Sequence, residues 1–285
     1  MLRLAGPGLT LGSMFSVQLG AAIAVPIMQA HGSFAITAQR LFCAAVAMAL
    51  MVRPDVTRFD RRQWLGVLAL GATMALMTLS FFEAVTLIPM GPAVTIDFLG
   101  PLTVAIIALK GWARMALPAL AAFGVTAISY SHGTWLLAPV GVGFAMGAGC
   151  GWACYIVLAR HVGRLFPDQI GLSASFIVAA LVALPLALLI APSQLSWAQL
   201  PAAACLAVLV PLIPFSLEMM ALRRIDIGLF SILMSLEPAL GALFGLVILH
   251  QVLTLQQTMG ISAVVFASIC AVSLTSFAKA PVAAS

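Results

Sequence analysis

A chain of 285 residues with 63% hydrophobic and only 7% charged side chains, at a mean hydropathy of +1.17, cannot cover a folded domain with polar surface. That excludes a water-soluble fold. The net charge of +5 reflects the loops that hold the basic residues and gives no reason to expect a nucleic-acid partner.

The apolar runs reach about 20 residues, the length a helix needs to cross a ~30 Å hydrocarbon core, so helices are expected instead of a barrel of short alternating strands. Ten runs are predicted, at 9–29, 33–52, 64–87, 90–109, 115–132, 138–159, 171–191, 198–222, 228–249 and 254–277. In the first, Gln18 lies at mid-depth; the second contains Arg40; the third ends near Glu83. The fourth carries Asp97 followed by Gly100-Pro101, and the fifth ends near His132. The sixth has Gly143, Gly147, Gly151 and Tyr155 on one helical stripe, read mainly as a packing seam, with Trp152 beside it. The eighth holds Pro214 and Glu218, and the ninth holds Glu237-Pro238.

Basic residues fall only in alternate connections: Arg3, then Arg53, Arg58, Arg61 and Arg62, then Lys110 and Arg114, Arg160 and Arg164, Arg223 and Arg224, and finally Lys279. Positive charge stays with cytoplasmic loops, so both termini are expected on the cytoplasmic side. Ala22-Ile23-Ala24 has the look of a signal-cleavage site, but an internal repeat argues that the first span is retained. A shift of 137 residues places Gly91, Leu99 and Pro101 on Gly228, Leu236 and Pro238. The expected fold is therefore an all-α integral membrane protein of ten transmembrane helices in two inverted five-helix repeats, 1–134 and 135–285.

Arg40, Glu83, Asp97, Glu218 and Glu237 are ionisable groups inside spans, each costing roughly 2.5–3.5 kcal/mol if it faced lipid at the centre. They must face the bundle interior, a partner or water. Arg40 and Asp97 lie at similar depths and form a candidate ion pair, whose plainest role is to fix helix register. Pro101, Pro214 and Pro238 lack the amide donor for Asp97, Val210 and Met234 and mark candidate helix breaks, whose freed carbonyls can accept hydrogen bonds from a solute. The candidate substrate or coupling residues are Gln18, Arg40, Asp97, Tyr155, Glu218 and Glu237. Five cysteines within spans point to neither disulfides nor a metal, no cofactor is indicated, and neither an H-E-x-x-H nor a phosphate-loop motif supports an intramembrane enzyme.

The segments TAQRLF (37–42), FLGPLTVAI (98–106), GAGCGWACYIVLARHVG (147–163) and PFSLEMMALRRIDIGLFSILMSLEPALGALFG (214–245) resemble EamA-type members of the drug/metabolite transporter superfamily, above all its threonine/homoserine exporters. The resemblance spans nearly the whole chain. It implies a multi-pass protein of the bacterial inner membrane that exports small amino acids through a central cavity, with Arg40, Asp97, Glu218 and Glu237 at family positions. A carrier of polyamines, drugs or other metabolites is the alternative within the fold. The chain departs from the family where His250-Gln251 replaces a frequent Gly-Glu pair, at Glu83, and near Val25, where a basic residue sometimes stands. Monomer and homodimer are both open.

Overall fold

In hydrocarbon no water satisfies a free N–H or C=O, so apolar runs close their backbone hydrogen bonds internally. The computed structural model describes residues 5–107, 111–131, 134, 135, 137–167, 169–222, 224, 225 and 233–277, and these are almost wholly helical. The helices are α1 (Ala5–His31), α2 (Ser33–Val52), α3 (Arg61–Leu87), α4 (Met90–Asp97), α5 (Leu99–Ile107), α6 (Ala113–Ser129), α7 (Pro139–Leu165), α8 (Ile170–Ile190), α9 (Leu200–Ala207), α10 (Ile213–Leu222), α11 (Glu237–Val247) and α12 (Leu255–Phe277). Six of them, α1, α2, α3, α7, α8 and α12, are long and apolar enough to cross a membrane, and shorter apolar helices make up the rest.

Several expectations change. The end of the fifth predicted run is not helix: Tyr130 and Ser131 pair with Trp135 and Thr134 in a two-residue antiparallel ribbon. In the fourth run a single turn residue, Phe98 (φ −65°, ψ −11°), separates α4 from α5, and the Phe98 N–H still bonds the Val94 carbonyl (2.9 Å). In the eighth run the break is not at Pro214, which is buried inside α10. A kink within Val208–Leu212 separates α9 from α10, with Val210 extended (φ −146°, ψ 107°) before Pro211. Pro26, Pro118 and Pro185 lie within α1, α6 and α8 without ending them. Residues 228–232 of the ninth run lie outside the described residues.

Three apolar layers hold the bundle. Val25, Met28, Phe82, Val94 and Phe244 belong to one; Leu41, Leu70, Met74, Phe176 and Ala179 to a second; Leu102, Leu117 and Ala267 to a third. At one end, Asp60 and Gln63 cap α3 reciprocally (2.7 and 2.9 Å), and the Gln63 amide donates to the Leu165 carbonyl at the end of α7 (3.1 Å). At the other end the Ser33 hydroxyl donates to the Glu83 carboxylate, and the Met90 N–H donates to Gln251 Oε1 (2.8 Å).

Lipid gives helices no hydrophobic reason to associate, so backbone must approach backbone. α4 and α11 run antiparallel in close contact. A methyl on Gly241 would sit 2.8 Å from Val94 Cγ2, one on Gly245 3.4 Å from Met90 Cβ, and one on Gly91 3.0 Å from Ala242 Cα. α5 meets α7 closer still: a methyl on Gly100 would lie 2.1 Å from the Gly149 carbonyl oxygen. Of the sixth-run stripe, Gly151 packs on Met77, Gly147 is in ordinary contact with Ser80, and Gly143 has nothing within 4 Å. Gly100→Ala is therefore expected to cost about 1–3 kcal/mol by overpacking against backbone that cannot move aside, whereas Gly143→Ala is tolerated. Thermal unfolding of the two variants in detergent checks this; equal melting temperatures would contradict the crossing.

Candidate functional site

α1 carries a polar stripe towards the second part of the chain. Thr10 turns its hydroxyl back to the Gly6 carbonyl (3.2 Å), but Ser13, Ser16 and Gln18 reach outward. The Ser13 hydroxyl donates to Glu218 Oε1 (2.7 Å), the Ser16 hydroxyl to the Leu209 carbonyl (2.9 Å), and the Gln18 amide Nε2–H to Glu237 Oε1 (3.3 Å). Gly20 continues the stripe, where a methyl would stand 2.5 Å from Val210 Cγ2. The middle contact follows from the kink. Ile213 N–H bonds the Val208 carbonyl five residues back and Val210 is extended, so the helical ladder is interrupted here and the Leu209 carbonyl takes its hydrogen from Ser16.

Two polar groupings result. Ser13 and Glu218 form one, with Tyr155 of α7 in electrostatic reach of Glu218; Glu218 and Tyr155 are half-buried. Tyr155 also lines a small cavity of about 130 Å³ between α3, α7 and α8. Gln18 and Glu237 belong to the other, five residues or about 7.5 Å further along α1. The α4–α11 register brings Asp97 to this second grouping. Met90 faces Gly245 and Val94 faces Gly241, so the next turn sets the end of α4 beside the start of α11, where Glu237 lies in electrostatic reach of Glu218 first and of Asp97 second. Gln18 and Glu237 are 1% and 5% exposed and Asp97 7%.

The candidate Arg40–Asp97 ion pair does not form. Among the described residues the one ion pair is Arg58–Asp55 (2.7 Å), an exposed pair beside the start of α3 that contributes little. Arg40, 1% exposed, lays its guanidinium 3.9 Å over the Phe82 ring, and its Nε has no acceptor. Phe98 is packed edge-on against Trp152 (5.7 Å), with the Asp97 carbonyl against Gly149.

The second part of the chain, residues 139–273, matches the EamA-like transporter family. The threonine/homoserine exporter RhtA of Escherichia coli K12 is 31% identical over 268 residues, 90% of this chain and 87% of the exporter. The exporter of that name from Salmonella typhimurium LT2 matches equally. The chain belongs to the EamA-like transporter family. A crystal structure described only as that of a protein shares the fold, with a TM-score of 0.62 at 18% identity over 96% of this chain and 99% of that one.

For an EamA-like transporter, a multi-pass membrane protein, the placement of charge is the informative feature. Phe82 returns roughly 2 kcal/mol to Arg40, against several kcal/mol for stripping water from an unpaired ion. The shortfall is available to any anion that reaches the guanidinium. Asp97 Oδ1 and Glu237 Oε2 are likewise buried without a hydrogen-bond donor. Sequence reasoning missed Ser13, Ser16 and Phe82. Small serines at three-residue spacing look like packing, and an aromatic among 16 phenylalanines carries no local sign that it sits under a cation. Ser16→Ala should lower stability by about 1–3 kcal/mol through the orphaned Leu209 carbonyl, while Ser262→Ala, which removes only an exposed bond to Thr258 O within one helix, changes it little. Denaturant or thermal titration in micelles reads the difference.

Proposed function

We propose that this protein is a secondary transporter exporting small amino acids, of the threonine/homoserine kind, across the bacterial inner membrane. The observation that carries the substrate class is the set of unpaired buried charges of both signs. Arg40 is buried with no carboxylate within ion-pair distance among the described residues, and Asp97 and Glu237 are buried with no cation there. A zwitterion neutralises both. Arg40 receives its carboxylate, Glu237 receives its ammonium, and Gln18 and Tyr155 supply neutral hydrogen bonds. The identity to the threonine/homoserine exporters over 90% of the chain supports the same cargo.

The mechanism is alternating access of two inverted halves, 1–134 and 135–285, through ten crossings with both termini cytoplasmic. Two features support this. The turn at Phe98 and the turn at Ser235-Leu236 coincide under the 137-residue shift, and α4 and α11 cross antiparallel. Glu237 or Glu218 carries a proton through the cycle. A second reading, a polyamine carrier, draws on the reach of Glu218 and Asp97 to Glu237, three carboxylates that suit a cationic cargo.

Counterflow of labelled threonine in liposomes, with methionine, phenylalanine, lysine and putrescine as competitors, tests both. Saturable threonine exchange is expected in the wild type and at least a tenfold loss in Glu237→Gln. Exchange with putrescine alone rejects the amino-acid reading.

A further inference from the structure

Beyond the hydroxyl oxygens of Thr37, Ser129 and Ser173, which can also donate, the buried side-chain atoms without a partner fall into a pattern. Gln39 and Gln199 leave amide oxygens free, Gln39 donating its own amide to the Ser196 carbonyl (2.8 Å). The remaining acceptors are Gln18 Oε1, Asp97 Oδ1 and Glu237 Oε2, and these three come from helices that meet. Gln18 and Glu237 touch through their other atoms. The α4–α11 register and the charge of Asp97 on Glu237 bring in the third. Each of the three residues is more than nine-tenths buried.

We infer that Gln18 Oε1, Asp97 Oδ1 and Glu237 Oε2 form a three-acceptor site for a primary ammonium group, one oxygen to each N–H. The inference rests on the amino-acid reading only for the name of the cargo; the chemistry holds for any R–NH₃⁺. Two facts on the site favour it. Of its side chains the Gln18 amide alone donates a hydrogen bond, to Glu237 Oε1, so none of the three free oxygens takes a hydrogen from the others. Glu237 opens α11, followed by Pro238, which leaves the Met234 carbonyl without its usual N–H. A neutral amide oxygen between two carboxylates favours directional N–H donors over a bare charge, so selectivity follows the count of N–H groups. N-methylation removes one donor per step and adds bulk where Gln18, Asp97 and Glu237 leave no exposed surface.

The test separates this site from the transport reading by measuring binding without flux. Thermal stability of the purified protein is followed with methylammonium, dimethylammonium, tetramethylammonium and sodium chlorides at equal ionic strength, in the wild type and in Gln18→Leu. In parallel, threonine, N-methylthreonine and N,N,N-trimethylthreonine compete in the counterflow assay. Expected are stabilisation by methylammonium alone, at least fivefold weaker competition by N-methylthreonine, and none by the trimethyl compound. Gln18→Leu should reduce the preference for methylammonium over dimethylammonium at least threefold. Stabilisation by sodium alone would assign the oxygens to a metal cation and overturn the inference, as would equal competition by the trimethyl compound. If threonine is not exchanged but methylammonium still stabilises the wild type, the cargo reading fails and the ammonium site stands; if none of the cations stabilises it, the site itself is rejected.

Discussion

An ion surrounded by lipid and protein must be paired or must wait for a partner, and most of this structure answers to that constraint. Arg40 is lodged on the face of Phe82, an interaction that keeps the cation in place without neutralising it. Asp97 and Glu237 each keep one oxygen with no donor, at the ends of two helices that cross antiparallel. Had Arg40 paired with Asp97, the two charges would have satisfied each other and left nothing for a solute. Held apart, they form two poles. A carrier needs such a deficit, because a site already satisfied internally gains little by binding cargo.

The same economy explains the backbone. Helix ends in a membrane expose N–H and C=O groups that need partners, so a broken helix is tolerated only against other protein or a wet cavity. Here each break is covered. Trp152 meets Phe98 edge-on, the Asp97 carbonyl abuts Gly149, and Ser16 donates to the Leu209 carbonyl at the kink. The tight crossings at Gly100, Gly241 and Gly245 follow, since helix ends carrying functional groups must be brought near one another and side chains at the crossing would hold them off.

Much of this was legible in the sequence because membranes impose few rules and impose them strongly. Apolar run length located the long helices. Pairing was not legible. Depth along a span puts Arg40 and Asp97 at one level but says nothing of the direction in which each helix turns them, and Phe82 is one phenylalanine among many. The break at Val208–Leu212 was missed for a related reason. Pro211 and Pro214 lie within one turn, so the local sequence does not single out the one at the kink, and the Leu209 carbonyl left there is met by Ser16 of α1, 193 residues away. The pairing of Tyr130-Ser131 with Thr134-Trp135 was not legible because two residues on each side, at the polar end of an apolar run, carry no strand periodicity.

One departure from the family pattern can be resolved into its parts. Where related chains often carry Gly-Glu, this one has His250-Gln251. His250 takes φ +54°, a left-handed conformation in which glycine is at ease and a branched or bulky side chain is not. Gln251 then folds its own N–H back to the Gly245 carbonyl (3.0 Å) and offers Oε1 to the Met90 N–H at the start of α4. A carboxylate oxygen would accept that N–H equally well and would add a charge favourable to the helix N-terminus. What the amide retains is the acceptor that ties the end of α11 to the beginning of α4; what it gives up is the charge. The tie is therefore indifferent to protonation in this chain. At the opposite end of the α4–α11 crossing, Glu237 lies beside Gln18, and Asp97 ends α4.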